Sequence, residues 1–187
     1  MKQRDVIRGQ LLVIVTKDGS REPRAQITRN GPAVIGMEIP EWQPGRTIVV
    51  DNSAVSSPPL EQIAPGEYYV QAVLVRYEKM TRADGHTIWV PAAERSAITQ
   101  LSGNFYSEPI LAKVDPAQRG SIALTLAHQV PAPTPPSDTQ WIKHIRIQSA
   151  LLSKFWGKPM YLGASVLVPR GWSQNQDERY QIGRAHV

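Results

Sequence analysis

The chain has 187 residues, 41% hydrophobic and 20% charged, which suits one globular domain or one and a part. It has no cysteine, so structural disulfides, cysteine nucleophiles and thiolate metal sites are excluded. The net charge is +5, yet the eight Lys/Arg of residues 1–50 are interleaved with five Asp/Glu and no basic run reaches five, which argues against a nucleic-acid partner. No stretch approaches the ~20 apolar residues that span a bilayer. Leu11–Val15 is too short for a signal-peptide core, so an exported protein would carry its signal upstream of Met1.

Sixteen prolines and thirteen glycines favour short strands and loops over long helices. Gln10–Thr16 reads as a first strand, closed by the turn signal Asp18-Gly19. Arg21–Gly36 reads as loop, with room for a short edge strand. Pro40–Gly45 reads as a turn and Thr47–Asp51 as a strand. Ser53–Pro59 is a loop, and Leu60–Ile63 fits one helical turn.

The longest run of strong strand formers follows, from Pro65-Gly66 to about Tyr77. Alternation puts Tyr68, Val70, Ala72 and Leu74 on one face and Tyr69, Gln71, Val73 and Val75 on the other. Both faces are largely apolar, so this is expected to be an interior strand covered on both sides. Lys79–Thr87, with Asp84-Gly85, is a loop or hairpin end, and Thr87–Val90 a short strand. Ala92–Leu101 fits helix or loop. Ser102–Ser107 turns into a strand at Pro109–Val114, and Asp115–Gly120 is a turn. Ser121–Val130 reads as a further strand with Ile122, Leu124 and Leu126 on one face. Strands at this spacing predict a mainly β fold, an antiparallel Ig-like β-sandwich over residues 1–131.

Pro131–Ser137 is proline-rich, and residues 132–139 read as a stiff linker. The pattern then restarts. Trp141–Ile147 alternates as a strand, Ala150–Trp156 turns away, and Pro159–Pro169 is a second strand. Two strands alone are marginal in water, so this part is expected either to pack on the first domain or to be incomplete. The last residues, Ile182–Val187, back-translate as ATC GGA AGA GCA CAC GTC, the start of a common sequencing-library adapter read in frame. The expectation is that 181–187 is a non-native tail and that the natural chain continues beyond Tyr180. The alternative is a genuine C-terminal tail.

Several stretches in order carry a family likeness: Gly9-Gln10-Leu11, Glu22-Pro23-Arg24, Trp42–Gly45, Pro65–Leu74, Gly103–Ser107, Ile147–Gly157, Leu167–Trp172 and Arg179-Tyr180. Together they resemble the front of bacterial esterases related to the enterochelin-esterase group of α/β-hydrolases. The resemblance implies that residues 1–131 are an accessory β-sandwich domain. It implies that 140–180 is the first strand pair of an incomplete α/β-hydrolase domain. It also implies an ester substrate, handled by a hydrolase domain cut short here, and a periplasmic or extracellular parent protein. The Gly-x-Ser-x-Gly elbow of such enzymes is missing. The nearest run, Gly163-Ala164-Ser165-Val166-Leu167, lacks the second glycine and sits in a strand, so Ser165 reads as structural. No catalytic, cofactor-binding or metal residue is assigned.

The residues singled out are scaffold candidates: Gly66, Tyr68, Gln71, Gly103, Asn104 and Tyr106. Gln71 lies in the most apolar run, where an unpaired amide would cost ~1–3 kcal/mol, so it is expected to bond to backbone near Gly103-Asn104. His86, His128 and His144 show no ligand spacing. Asp51-Asn52-Ser53 and Asp84-Gly85 could supply calcium oxygens, although turns use the same residues. Trp42, Trp89, Tyr77 and Tyr106 could form a carbohydrate-stacking platform, or could simply be packed. The competing functions are therefore the front of an exported serine esterase, a stand-alone carbohydrate- or protein-binding module, and a purely structural buttress.

Overall fold

The structure is a computed structural model that describes residues 6–92, 96–118, 120–172, 179 and 183. Ala93–Arg95, Arg119, Tyr180 and nearly all of the suspected tail lie outside the described residues. The chain divides into two units, one from the described parts of 1–80 and 87–133, the other from those of 81–86 and 134–187. Both are built on antiparallel strands, and the protein is mainly β.

The first unit is organised around β4 (Gly66–Thr81), a 16-residue strand. On one side it pairs with β1 (Ile7–Thr16), which pairs in turn with β2 (Ala33–Trp42) and then β3 (Val55–Ser57). Three other strands also pair with β4: β5 (Thr87–Pro91), β6 (Phe105–Tyr106) and β7 (Ile110–Val114). β8 (His128–Gln129) pairs with β6. The register sets Leu11 opposite Leu74, Val13 opposite Ala72 and Ile14 opposite Gln71. The face of β4 that carries Tyr68, Val70, Ala72 and Leu74 meets two clusters in succession along the strand, and the other face a third. Tyr68 and Val70 pack with Val15, Ile35 and Ile63, while Ala72 and Leu74 pack with Leu11 and Ile39. On the opposite face Val73 and Val75 pack with Leu12 and Ile14.

Several boundaries differ from the sequence reading: β1 begins at Ile7 rather than Gln10, and β3 forms within Ser53–Pro59, read as a loop. β4 runs to Thr81, not Tyr77. No strand forms at 47–51, while β2 spans Ala33–Trp42, where a loop and a turn were expected, so Pro40, read as a turn residue, lies inside a strand. The β1–β2 register shifts between Ile7–Trp42 and Gly9–Ile39, so Pro40 falls at an irregularity where its missing N–H breaks no regular ladder. Gly9 is required there, because a Cβ on it would lie 2.0 Å from the Val75 carbonyl oxygen.

Thr47–Val50 runs without ladder pairing but still turns Ile48 and Val50 toward the core. The strand expected at Ser121–Val130 shrinks to β8 for the same reason. Leu124 and Leu126 point inward while the backbone of 121–127 forms no ladder. Alternation records burial, which an extended segment achieves with or without a neighbour to hydrogen-bond. Gly66, read as a turn corner, is the first ladder residue of β4, opposite Val114.

In the second unit β9 (Ile142–Gln148) pairs antiparallel with β10 (Tyr161–Leu167). Between them Ala150–Trp156 forms a seven-residue helix, α1, where a simple turn was expected. Ser149 caps its N-terminus by accepting the Leu152 N–H, and Gly157 ends it in the left-handed conformation. Arg82 pairs with Asp84 at 2.8 Å and lays its guanidinium 5.5 Å from the centre of the Phe155 ring. No described helix is long and apolar enough to cross a membrane.

Candidate functional site

The densest polar arrangement lies in the first unit, around Gln71, Thr99, Asn104 and Ser107, all buried. β6 makes two register pairs with β4, Tyr106 with Val73 and Phe105 with Leu74. Side chains extend that pairing at both ends. The Asn104 Oδ1 accepts the Arg76 N–H at 3.0 Å, and the Ser107 Oγ accepts the Ala72 N–H at 3.0 Å. Asn104 also donates from Nδ2 to the Ile98 carbonyl at 2.8 Å. Gly103, at φ 79°, sits in the left-handed region that glycine tolerates, and its N–H donates to the Val130 carbonyl at 2.9 Å.

Gln71 is fully buried and uses both ends of its amide. Its Oε1 accepts the Arg24 N–H and its Nε2 donates to the Ser107 carbonyl, each at 2.9 Å. The partners are thus backbone groups, at Arg24 and Ser107 rather than at Gly103-Asn104. Thr99 donates to the Arg24 carbonyl at 2.7 Å, so the 3-10 turn at Pro23–Ala25 is held from two sides. This is the chemistry of satisfied buried backbone.

Above the network lies a cluster of charged and aromatic side chains. The Arg24 guanidinium sits 4.0 Å from the centre of the Tyr106 ring, and the His128 ring lies 5.2 Å from it. His128 Nε2 meets Glu108 Oε1 at 2.8 Å, and Arg24 Nε donates to Glu22 Oε2 at 2.6 Å. Arg24 and Glu22 are thus paired with each other, and His128 is in hydrogen-bond contact with Glu108. The four aromatics considered for carbohydrate stacking do not form one face. Trp42 packs edge-on to Phe105 on the Leu11–Leu74 side and donates to the Arg46 carbonyl. Tyr77 and Tyr106 pack on the Leu12–Val73 side, and the Arg8 guanidinium sits 4.7 Å from the centre of the Trp89 ring. Burial and the Glu38 carboxylate that accepts its O–H raise the Tyr77 phenol above the usual tyrosine range, so it remains a donor.

A shallow depression of about 620 Å³ is bordered by Lys17, Asp18, Arg21, Gln26, Gln62 and Tyr68. Gln26 is fully engaged with Thr16 and the Asp18 and Arg21 carbonyls. The Tyr68 hydroxyl donates to the Ala64 carbonyl, and the Lys17 ammonium lies 5.2 Å from its ring centre. Hydrogen bonds from Ser20 hold the Asp18 carboxyl below its usual range. This wall offers no acid and base in contact.

Asp51 and Asp84 are engaged in their own turns, accepting from Ser53 and from the His86 N–H respectively. Among the described residues no group of three or more His, Asp or Glu is placed to hold a metal.

The second unit contains one contact that sequence spacing did not reveal. Ser165 and His144 are directly opposite in the β9–β10 register, and Ser165 Oγ lies 3.1 Å from His144 Nδ1. They are 21 residues apart, so only the hairpin register joins them. The nearby carboxylate of Asp138 does not orient the imidazole. Its Oδ1 accepts the His144 backbone N–H at 2.8 Å, and its Oδ2 faces Lys143 at 3.5 Å. The His144 backbone bond, with Lys143 adding to it, lowers the Asp138 carboxyl below its usual range. A serine hydrolase needs nucleophile, base and orienting acid in series. Here the series stops at the histidine, and Ser165 lies within a regular strand rather than on a sharp turn.

No protein-family model matches the chain, and no curated protein or solved structure is detectably similar to it.

Proposed function

We propose that the chain is the front portion of an exported serine esterase. In this reading residues 1–131 are an accessory Ig-like β-sandwich that positions or binds the ester substrate beside a hydrolase domain. Residues 140–180 open that domain, and this chain by itself lacks the catalytic centre. The observation that carries the reading is the state of the β9–β10 hairpin. Ile145 and Ile147 on β9, and Leu162, Val166 and Leu167 on β10, are exposed, with Leu167 at 78%. A strand as apolar as β10 suits the interior of a larger sheet covered on both sides, while β9 alternates its isoleucines with Lys143, His144 and Arg146. The polar network around Gln71 supports a buttressing role for the first unit, because its side chains are engaged with backbone.

The test is the coding sequence downstream of Tyr180. The reading expects a further strand, a Gly-x-Ser-x-Gly elbow and a late histidine. The extended protein is then expected to hydrolyse p-nitrophenyl acetate, and the 187-residue chain to give no turnover above buffer. Turnover by the short chain that Ser165→Ala abolishes would overturn the reading. Selective glycan binding by the short chain, with no hydrolase sequence downstream, would favour the stand-alone binding module instead.

A further inference from the structure

The two faces of the β9–β10 hairpin differ in chemistry. Residues directly opposite one another in an antiparallel pair share a face. One face therefore carries Ile145, Ile147, Leu162 and Val166, and the other carries His144, Arg146, Tyr161, Gly163 and Ser165. On this second face Arg146 lies diagonal to Tyr161, with its guanidinium 3.9 Å from the ring centre. Ser165 lies opposite His144, with Oγ 3.1 Å from Nδ1. Gly163 stands between the two pairs, about 7 Å along β10 from both Tyr161 and Ser165. A Cβ added to Gly163 would meet nothing within 4 Å, so the space above it is open.

The charge of this unit is unbalanced. Residues 81–86 and 134–187 hold eight Lys/Arg against four Asp/Glu. Asp84 pairs with Arg82 at 2.8 Å, and Asp138 faces Lys143 at 3.5 Å. Among the described residues Arg146 has no carboxylate partner, and the Tyr161 ring is what it rests on. Stacking uses the flat face of a guanidinium and leaves the N–H donors on its edge available. The His144–Ser165 pair also keeps a donor in either neutral tautomer. With the proton on Nδ1, that N–H donates to Oγ and the hydroxyl proton is uncommitted. With the proton on Nε2, the hydroxyl donates to Nδ1 and the Nε2–H is uncommitted.

We propose that Arg146 and the Ser165–His144 pair bind a phosphate group over Gly163. Charge selects an anion, because the fixed cation on this face has no carboxylate beside it. The number of oxygens selects phosphate over carboxylate. A bidentate contact with Arg146 uses two oxygens, which is all that a carboxylate has. A phosphate has a third oxygen left for the donor of the Ser165–His144 pair. Tyr161 holds the guanidinium in place before the ligand arrives, which lowers the ordering cost of binding. The proposal does not rest on the esterase reading, and a layer packed over this face in a longer protein would have to leave the site open.

Titration of the full 187-residue chain with inorganic phosphate and with phenyl phosphate, at pH 7 and constant ionic strength, tests it by NMR. The expected result is saturable shifts of the Arg146, Gly163 and Ser165 amides. Arg146→Gln and Gly163→Val should each weaken binding about tenfold or more, and Ser165→Ala about threefold, with the circular dichroism spectrum unchanged. The Arg146 side chain is exposed, so its variant answers the question if Gly163→Val fails to fold. Arg170→Gln is the control, since it removes the same charge from an exposed residue outside the hairpin strands. It should change the affinity less than twofold. The absence of saturable shifts with both phosphates overturns the proposal, as does binding that survives Arg146→Gln and Gly163→Val. So does an equal loss in Arg170→Gln, which would mean general attraction to a basic surface. Acetate that binds as tightly as phosphate overturns the choice of ligand.

Discussion

β4 and β10 look alike in sequence and fare differently in the fold. Each contains a run of apolar and aromatic residues, Tyr68–Val75 in one and Tyr161–Leu167 in the other. In β4, Val73, Leu74 and Val75 are fully buried, with a core on each face. Every residue of β10 is exposed. The difference lies in neighbours. β4 has strands on both sides and extended segments or loops over its faces, whereas the strand partner of β10 is β9. A run of strand-forming residues therefore reports a capacity for burial, and the surrounding chain decides whether it is used.

The largest effect that sharpens this contrast should come from paired truncations. Leu74→Ala removes a fully buried side chain and is expected to cost about 2–5 kcal/mol in urea unfolding. Leu167→Ala on β10 should change stability by less than ~0.5 kcal/mol. Equal costs would mean that β10 is buried in solution.

Next comes the polar network. Gln71→Leu keeps the approximate volume but strands the Arg24 N–H and the Ser107 carbonyl, at an expected cost of ~1–3 kcal/mol. An unchanged unfolding midpoint would show that the amide does not bridge these groups. In the second unit Ser149→Ala removes the cap of α1 and should lower helix stability by ~1 kcal/mol, read as faster amide exchange at Leu152.

The smallest effect is at Asp138. Its carboxyl titrates below the ordinary range, so the bond to the His144 N–H is present above that range. It should be lost as the pH falls through the lowered value. A His144 amide resonance that does not move during acid titration would remove this bond.

Much of the first unit was legible in the sequence because alternation is a local property. The two faces of β4 and the 3-10 turn at Leu60–Gln62 follow from residue types in order, as does the Asp84-Gly85 hairpin end in the second unit. β2 was not legible, since Pro40 looks like a turn residue until the irregularity beside Gly9 accommodates it. α1 was missed, although Ser149 and Gly157 stand at its two ends, because a seven-residue helix leaves little periodicity to read.

For the candidate site, the need of Gln71 for a partner could be inferred from its apolar surroundings. Its actual partners, 47 and 36 residues away, could not. The Ser165–His144 contact was equally hidden, because a hairpin register brings it about.

By itself, the sequence determined that this is a mainly β protein without disulfides, and that β4 has two apolar faces. It also determined that one amide among them must find hydrogen bonds. These follow from side-chain chemistry and the two-residue period of an extended chain. Tertiary structure alone decided which alternating segments gain a ladder, where Gln71 bonds, and that β4 is enclosed while β10 is exposed. The physical reason is that backbone pairing and burial depend on which distant segments arrive alongside, and a local pattern carries no information about its neighbours.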